Sequence, residues 1–150
     1  MTAQKKPAKI ILIVLALAIA WLFEKYDVAK YLPGQSHTPA PSHALSQAIA
    51  QKQSDVQVQS SGIIVKVLPD DTHGSKHQRL LVKLNNGHVI LIAHNIDLAP
   101  RVPSPKEGET IEFYGEFEWN DKGGVVHWTH HDPRGKHASG WLKYHGQTYE

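Results

Sequence analysis

From Val56 onward, apolar and polar positions alternate with a period of two, which predicts β-strands. Val56-Gln-Val-Gln59 alternates, and after Ser60, Ser61 and Gly62 the run Ile63-Ile-Val-Lys-Val-Leu68 resumes. A glycine between the halves of one strand predicts a bulge or sharp bend. Residues 69–75 read as a loop by composition. Two further runs, 79–84 and 88–93, flank Asn86-Gly87, the signal of a two-residue hairpin. That turn opposes Leu84 to Val89, Val82 to Leu91 and Leu80 to Ala93, a wholly apolar face expected in the core. The other face then carries Arg79 with His94, Leu81 with Ile92 and Lys83 with Ile90. Such a mixed face is either covered by a neighbouring segment or is a shallow binding surface.

Residues 95–108 are broken by prolines and too short for a helix with its connections. Asn95 and Asp97 predict a side-chain-mediated turn, with His94 at a polar strand end. A strand over 110–119, a turn at 120–123, a strand over 124–129 and a small hairpin around His145-Gly146 complete the chain. Five principal strands, the first bent at glycine, predict an all-β domain: a small Greek-key barrel of the OB type with a C-terminal hairpin. An SH3-like barrel is the alternative. Neither fold names a ligand.

Ahead of the strands the pattern is different. Lys5, Lys6 and Lys9 precede an unbroken apolar run over residues 10–23, closed by Glu24 and Lys25. That is the layout of a signal sequence or signal anchor. As a helix the run spans roughly 21 Å, short of the ~30 Å hydrocarbon core. Ala18-Ile19-Ala20 has the small-x-small form of a cleavage site, yet Trp21, Leu22 and Phe23 carry the apolar run past it. Trp21, Tyr26 and Tyr31 suit interfacial anchoring, and Lys25 and Lys30 suit snorkelling. The expectation is an uncleaved N-terminal hydrophobic helix, with the membrane as its partner and the remainder of the chain translocated. A cleaved signal releasing the domain, and a buried helix of a soluble protein, are the alternatives.

The chain therefore divides into residues 1–31 as anchor, 32–55 as linker and short helix, and 56–150 as the β domain. Pro33, Pro39 and Pro41 keep the linker irregular. Ser42 is placed to cap a helix with Leu45, Ala48 and Ile49 on one side. The 150 residues include no cysteine, which excludes disulfides, thiolate chemistry and lipid attachment through a lipobox. Net charge is +2. Residues 1–34 carry +3 of it, five lysines against Glu24 and Asp27, which leaves −1 for the rest. A near-neutral domain argues against general nucleic-acid binding.

Candidate chemistry is concentrated near the end. Four of the eleven histidines, His127, His130, His131 and His137, fall between Val125 and His137. On the strand over 110–119, Ile111, Phe113, Phe117 and Trp119 point inward, so Glu112, Tyr114, Glu116 and Glu118 point outward. A four-residue turn opposes Trp119 to Gly124, Phe117 to Val126 and Gly115 to Trp128. This keeps Val126 and Trp128 on the core side and sets Gly115 beneath the indole. On the outer face His127 then falls opposite Glu116, Thr129 opposite Tyr114, and His131 opposite Glu112, with Cβ atoms ~5 Å apart. His130, Asp132 and His137 lie in the adjoining loop.

The expected binding surface is Glu112, Tyr114, Glu116, His127, Thr129 and His131. Imidazole with carboxylate is a ligand set for zinc or another divalent ion, with His127, His130, His131 and His137 as the candidate metal ligands. The same groups suit general acid–base work. Plain Glu–His pairing on a solvated sheet is the alternative. His-x-x-His-His is no standard zincin pattern. His37 and His43 read as solvated linker residues, and His73 and His77 flank a loop near Asp70 and Asp71. There is no glycine-rich phosphate loop or nucleophile elbow, and spacing argues for no Ser–His–Asp arrangement.

Ala93-His-Asn-Ile-Asp-Leu-Ala99, Phe113-Tyr-Gly-Glu-Phe-Glu-Trp-Asn120, Lys122-Gly-Gly-Val-Val-His-Trp-Thr-His-His-Asp-Pro133 and Gly140-Trp141 follow one another in that order. With these blocks, residues 56–150 closely resemble the bacterial domain-of-unknown-function family 3465. The resemblance implies a bacterial source and an OB-like domain behind an N-terminal signal or anchor. It implies no activity, substrate or catalytic residue. The expected protein sits in a bacterial inner membrane by a single pass, or is secreted after cleavage, with its domain in the periplasm. Its expected role is binding, of a small anion, an oligosaccharide, a peptide or an envelope partner. The alternatives are a metal-dependent hydrolase of nuclease or phosphodiesterase type and a structural role in an envelope assembly.

Overall fold

The computed structural model describes residues 43–150. The anchor, the linker and the Ser42 cap lie outside the described residues, and among those described no helix is long and apolar enough to cross a membrane. One helix, α1 (His43–Gln51), is followed by β1 (Val56–Asp71), β2 (His77–Lys83), β3 (Val89–Asn95), β4 (Thr110–Glu118), β5 (Val125–His127), β6 (Trp141–Tyr144) and β7 (Gln147–Tyr149). The domain is mostly β. Its strands run in the order β1-β2-β3-β5-β4-β6-β7, and β1 also pairs with β4. β1, β2, β3, β5 and β4 therefore close a hydrogen-bonded ring, and the β6–β7 hairpin extends it beyond β4.

The long first strand makes the ring possible. Its first half, from Val56 to Ile63, pairs with β4, and its second half, from Ile63 to Asp71, pairs with β2. The handover falls at Gly62, where a Cβ would sit 2.6 Å from the Lys83 carbonyl oxygen. Only glycine lets the two neighbouring strands crowd the bend this closely. The strand continues through Pro69, expected in a loop, because a register shift between Leu68 and Asp71 relieves proline of a ladder bond.

Inside the ring lie Val58, Ile64, Leu80, Val82, Ile90, Ile92, Ile111, Phe113, Phe117 and Val126, all at most 1% exposed. Leu45 and Ala48 of α1 join this core, which explains the apolar stripe of that helix. Phe113 and Phe117 are fully buried; each ring removed from water is worth roughly 1.5–3 kcal/mol. The C-terminal hairpin turns on His145-Gly146, both at positive φ (49° and 78°). That is the left-handed pair a two-residue turn between twisted strands requires.

The β2–β3 hairpin differs from expectation by one residue. Lys83 pairs with Val89, Val82 with Ile90, Leu80 with Ile92 and Gln78 with His94. The loop has three residues: Gly87 N donates to Leu84 O, Leu84 N donates to His88 O, and Gly87 takes φ 84°. This is a type I turn closed by a left-handed glycine. The inward set of β2 is as expected, but β3 turns over. Ile90, Ile92 and His94 face the core, and Leu81 with Leu91 form the middle of the outer face.

His94 is consequently a fully buried side chain and no polar strand end. Its Nε2–H donates to the Pro100 carbonyl at 3.0 Å, and its Nδ1 meets Thr129 Oγ1 at 2.9 Å. Burial lowers its pKa. Beside it Gln78 donates to the Val102 carbonyl and accepts from the Val102 amide, fastening the proline-broken 95–108 loop to the ring. The expected Asx turn is present: Asp97 N donates to Asn95 Oδ1 at 2.9 Å.

Candidate metal and ligand site

The β4–β5 register is as the alternation predicts: Glu118 pairs with Val125, Phe117 with Val126, and Glu116 with His127. Glu116, Glu118 and His127 consequently share one outer face. His127 Nε2 lies 3.4 Å from Glu116 Oε1 and 3.2 Å from Glu118 Oε1. One potential ligand atom from each of the three residues falls within 4.8 Å of the others. His127 Nε2 is buried and makes no hydrogen bond.

The pairing ends one residue later. Trp128 takes φ 53°, a left-handed conformation that costs a bulky residue about 1–3 kcal/mol. β5 therefore stops at His127, and β6 takes over the β4 edge, pairing Tyr114 with Trp141 and Glu112 with Lys143. Thr129 does not oppose Tyr114, and His131 does not oppose Glu112. Gly140 marks the crossing point: a Cβ there would stand 2.0 Å from Trp128 O and 2.4 Å from Tyr114 O.

The bend redistributes the remaining expected residues. Thr129 is buried against His94. Trp128, expected in the core above Gly115, turns out of it and stacks on His137 at 4.1 Å and 7°. Gly115 is crowded instead by Thr129 and by the His127 carbonyl oxygen, which a Cβ on Gly115 would meet at 2.4 Å. His131 is exposed and its Nδ1 meets Ser139 Oγ at 3.0 Å. His130 is buried, its Nδ1–H donating to the His131 carbonyl. Neither joins the group around His127.

His137 does join it. Its Nε2 lies 2.8 Å from Glu116 Oε2 and its Nδ1–H donates to the Ala138 carbonyl at 3.0 Å. Two acceptors, one on each ring nitrogen, favour the imidazolium, and the pKa is raised by the Ala138 carbonyl first and by Glu116 after it. Asp132, 4% exposed, holds the loop that delivers His137. It accepts from the amides of Arg134, Lys136 and His137 at 2.9, 2.7 and 2.8 Å. Those amides, that of Arg134 foremost, hold its carboxyl below the usual range. The loop is a carboxylate-centred turn, a role that Asp-x-Arg-Gly in the sequence suggests only in retrospect.

Beside His127 a cleft of about 380 Å³ opens. It is lined by Ser75, His77, Asn95, Leu98, His127, Trp128, His130 and Arg134. Sequence reasoning missed Glu118, Leu98, Asn95, His77 and Arg134 as neighbours of the site. His77 and Asn95 pair across β2 and β3, and the one-residue hairpin slip hid that adjacency.

The family described as Protein of unknown function (DUF3465) matches residues 31–150. The chain belongs to that family. The match reaches beyond the β domain into α1 and the segment before it, further toward the N-terminus than the motif blocks alone indicate. Comparison with curated proteins finds no match. In this family member every quoted block has a structural place: Ala93 to Ala99 carries His94 and the Asx turn, residues 113–120 carry the two glutamates, residues 122–133 carry His127 and the Trp128 bend, and Gly140-Trp141 carries the crossing onto the β4 edge.

Proposed function

We propose that this family member is a membrane-tethered, periplasmic binding module that holds a divalent metal ion through Glu116, Glu118 and His127. The closed strand order β1-β2-β3-β5-β4, with one bent first strand, supports reading the ring as an OB-type Greek-key barrel. The basic-then-apolar pattern of residues 1–31 supports a tether in the inner membrane.

A single observation carries the metal reading. His127 Nε2 is buried, makes no hydrogen bond, and stands 3.2 and 3.4 Å from two carboxylate oxygens. Ligand bonds of about 2.0–2.1 Å in a tetrahedral zinc site put neighbouring donor atoms about 3.3 Å apart. The two nitrogen-to-oxygen separations thus already match the edge lengths of such a site, and all three donors lie within 4.8 Å of one another. His137 donates to the other oxygen of Glu116, the kind of outer contact that orients a ligating carboxylate. Three protein donors leave a position for water or a ligand atom. With two carboxylates on this face, it suits a cation and not the small anion considered among the expected ligands.

Substituting cobalt for the native ion tests this. Cobalt(II) added to the metal-stripped full chain is expected to give visible d–d absorption at one equivalent. His127→Ala and Glu118→Gln should abolish that spectrum. A spectrum of hexaaquo cobalt alone in the wild type would overturn the reading.

A further inference from the structure

The cleft beside His127 has a chemistry of its own. Three carboxylates lie close to it in sequence; each accepts from backbone amides, and Asp71 and Asp132 also attract His77 and Arg134. Asp71 Oδ1 accepts from His73 N at 3.0 Å, Asp97 Oδ2 from Lys76 N at 2.8 Å, and Asp132 from its three loop amides. No carboxylate is among the lining residues, while Arg134 supplies a permanent cation. Glu116 and Glu118 touch His127 but do not line the cleft.

The imidazoles at the cleft are oriented. His77 Nδ1–H donates to the Ser75 carbonyl at 2.8 Å, and His130 Nδ1–H donates to the His131 carbonyl at 2.8 Å. In the tautomer these bonds select, Nε2 of each ring is an acceptor, and neither Nε2 makes a hydrogen bond among the described residues. Ser75 and Asn95 add a hydroxyl and an amide. The remaining wall is apolar: the Trp128 indole, turned here by its strained backbone, and Leu98, the most exposed large hydrophobic residue described, at 50%. Strained residues cluster at ligand sites; His137 covers one face of this indole, and the cleft meets the rest of it.

We infer that this cleft binds an acidic sugar ring of the uronic acid type. Its carboxylate pairs with the Arg134 guanidinium, which matches carboxylate geometry bidentately. Its hydroxyls donate to His77 and His130 Nε2 and bond to Ser75 and Asn95. Its C–H face lies on Trp128 and Leu98. A neutral sugar leaves Arg134 with the Coulomb attraction of Asp132 alone, whose oxygens are already taken up by loop amides, and a simple carboxylate leaves the indole and the imidazole acceptors unused. The volume, about 380 Å³, lies within the range of small-molecule pockets. The inference deepens the reading of this domain as a binding module and does not depend on the metal.

Calorimetry on the full chain in lipid nanodiscs, with chelator present, tests it. Methyl glucuronoside is expected to bind saturably, and methyl glucoside and acetate at least about ten-fold more weakly. Arg134 is exposed on its loop, so Arg134→Gln should fold normally and erase the preference for the acid over the glucoside. Trp128→Ala should lose both sugars. Tighter binding of a uronate trisaccharide assigns the end of a polymer, and equal binding assigns the free sugar acid. No saturable heat with the glucuronoside, or an unchanged preference in Arg134→Gln, overturns the inference. Cobalt titration of the same preparation without chelator reads the metal site separately, so the two can fail independently.

Discussion

His137 and Glu116 meet at 2.8 Å, Nε2 to Oε2, while the opposite ring nitrogen of His137 donates to a backbone carbonyl. Both contacts favour the imidazolium and raise its pKa, and the ring, stacked on Trp128, ties its loop to Glu116. This one contact joins the end of β5, the Asp132 turn and the proposed metal ligands.

Its pH dependence has a definite sign. A histidine pKa raised by folding adds stability that is fully present below the unfolded value, about 6.5, and is lost as pH rises through the folded value. In an NMR titration the His137 ring should deprotonate at higher pH than an unperturbed histidine. Glu116→Gln should move that transition down. A transition in the wild type at or below that of an unperturbed histidine would contradict the pairing.

His94 runs the opposite way. Burial lowers its pKa, so the unfolded chain binds a proton that the folded chain resists. Stability should be full above about pH 6.5 and should decline as pH falls below that value. Thr129→Val leaves His94 Nδ1 buried without its donor and should cost roughly 1–3 kcal/mol in urea unfolding. His94→Ala should cost more, about 2–5 kcal/mol, since it also empties a fully buried site.

The glycines at the strand crossings are steric requirements. A methyl at Gly140 would meet two carbonyl oxygens at 2.0 and 2.4 Å, both backbone and unable to yield. Gly140→Ala should separate β6 from β4 and lower thermal stability by the equivalent of about 1–3 kcal/mol or more. Gly146→Ala, where nothing stands within 4 Å, should cost only the strain of its positive φ. Equal losses at the two positions would contradict the crowding argument.

These outcomes bear on how much of the molecule can be read from its residues. The β4–β5 register was legible because only one alignment buries Val126 opposite Phe117, and with it came the Glu116–His127 pair. The β2–β3 register was not. Val89-Ile-Leu-Ile-Ala93 is apolar on both faces, so alternation cannot choose between registers, and Asn85 lengthens the turn by one residue. That slip concealed the burial of His94 and the adjacency of His77 to the site. The Trp128 bend has no local signal at all, since tryptophan is among the residues least suited to positive φ. It is imposed by the ring: β6 occupies the β4 edge, and Thr129 is drawn inward to His94. A strand pattern extrapolated past His127 therefore misplaces Thr129 and His131, while the true neighbours, Glu118 and His137, come from the adjacent outward position and a returning loop.

The central claim is that Glu116, Glu118 and His127 hold a metal ion. Elemental analysis by mass spectrometry of the tag-free full chain, purified without chelator, tests it most directly. Near-stoichiometric zinc, or another divalent ion in its place, lost in His127→Ala while His145→Ala, whose ring pairs with Glu109 outside the group, retains it, is the predicted result. A stably folded wild-type chain that carries no metal and takes up none on dialysis against zinc would contradict it.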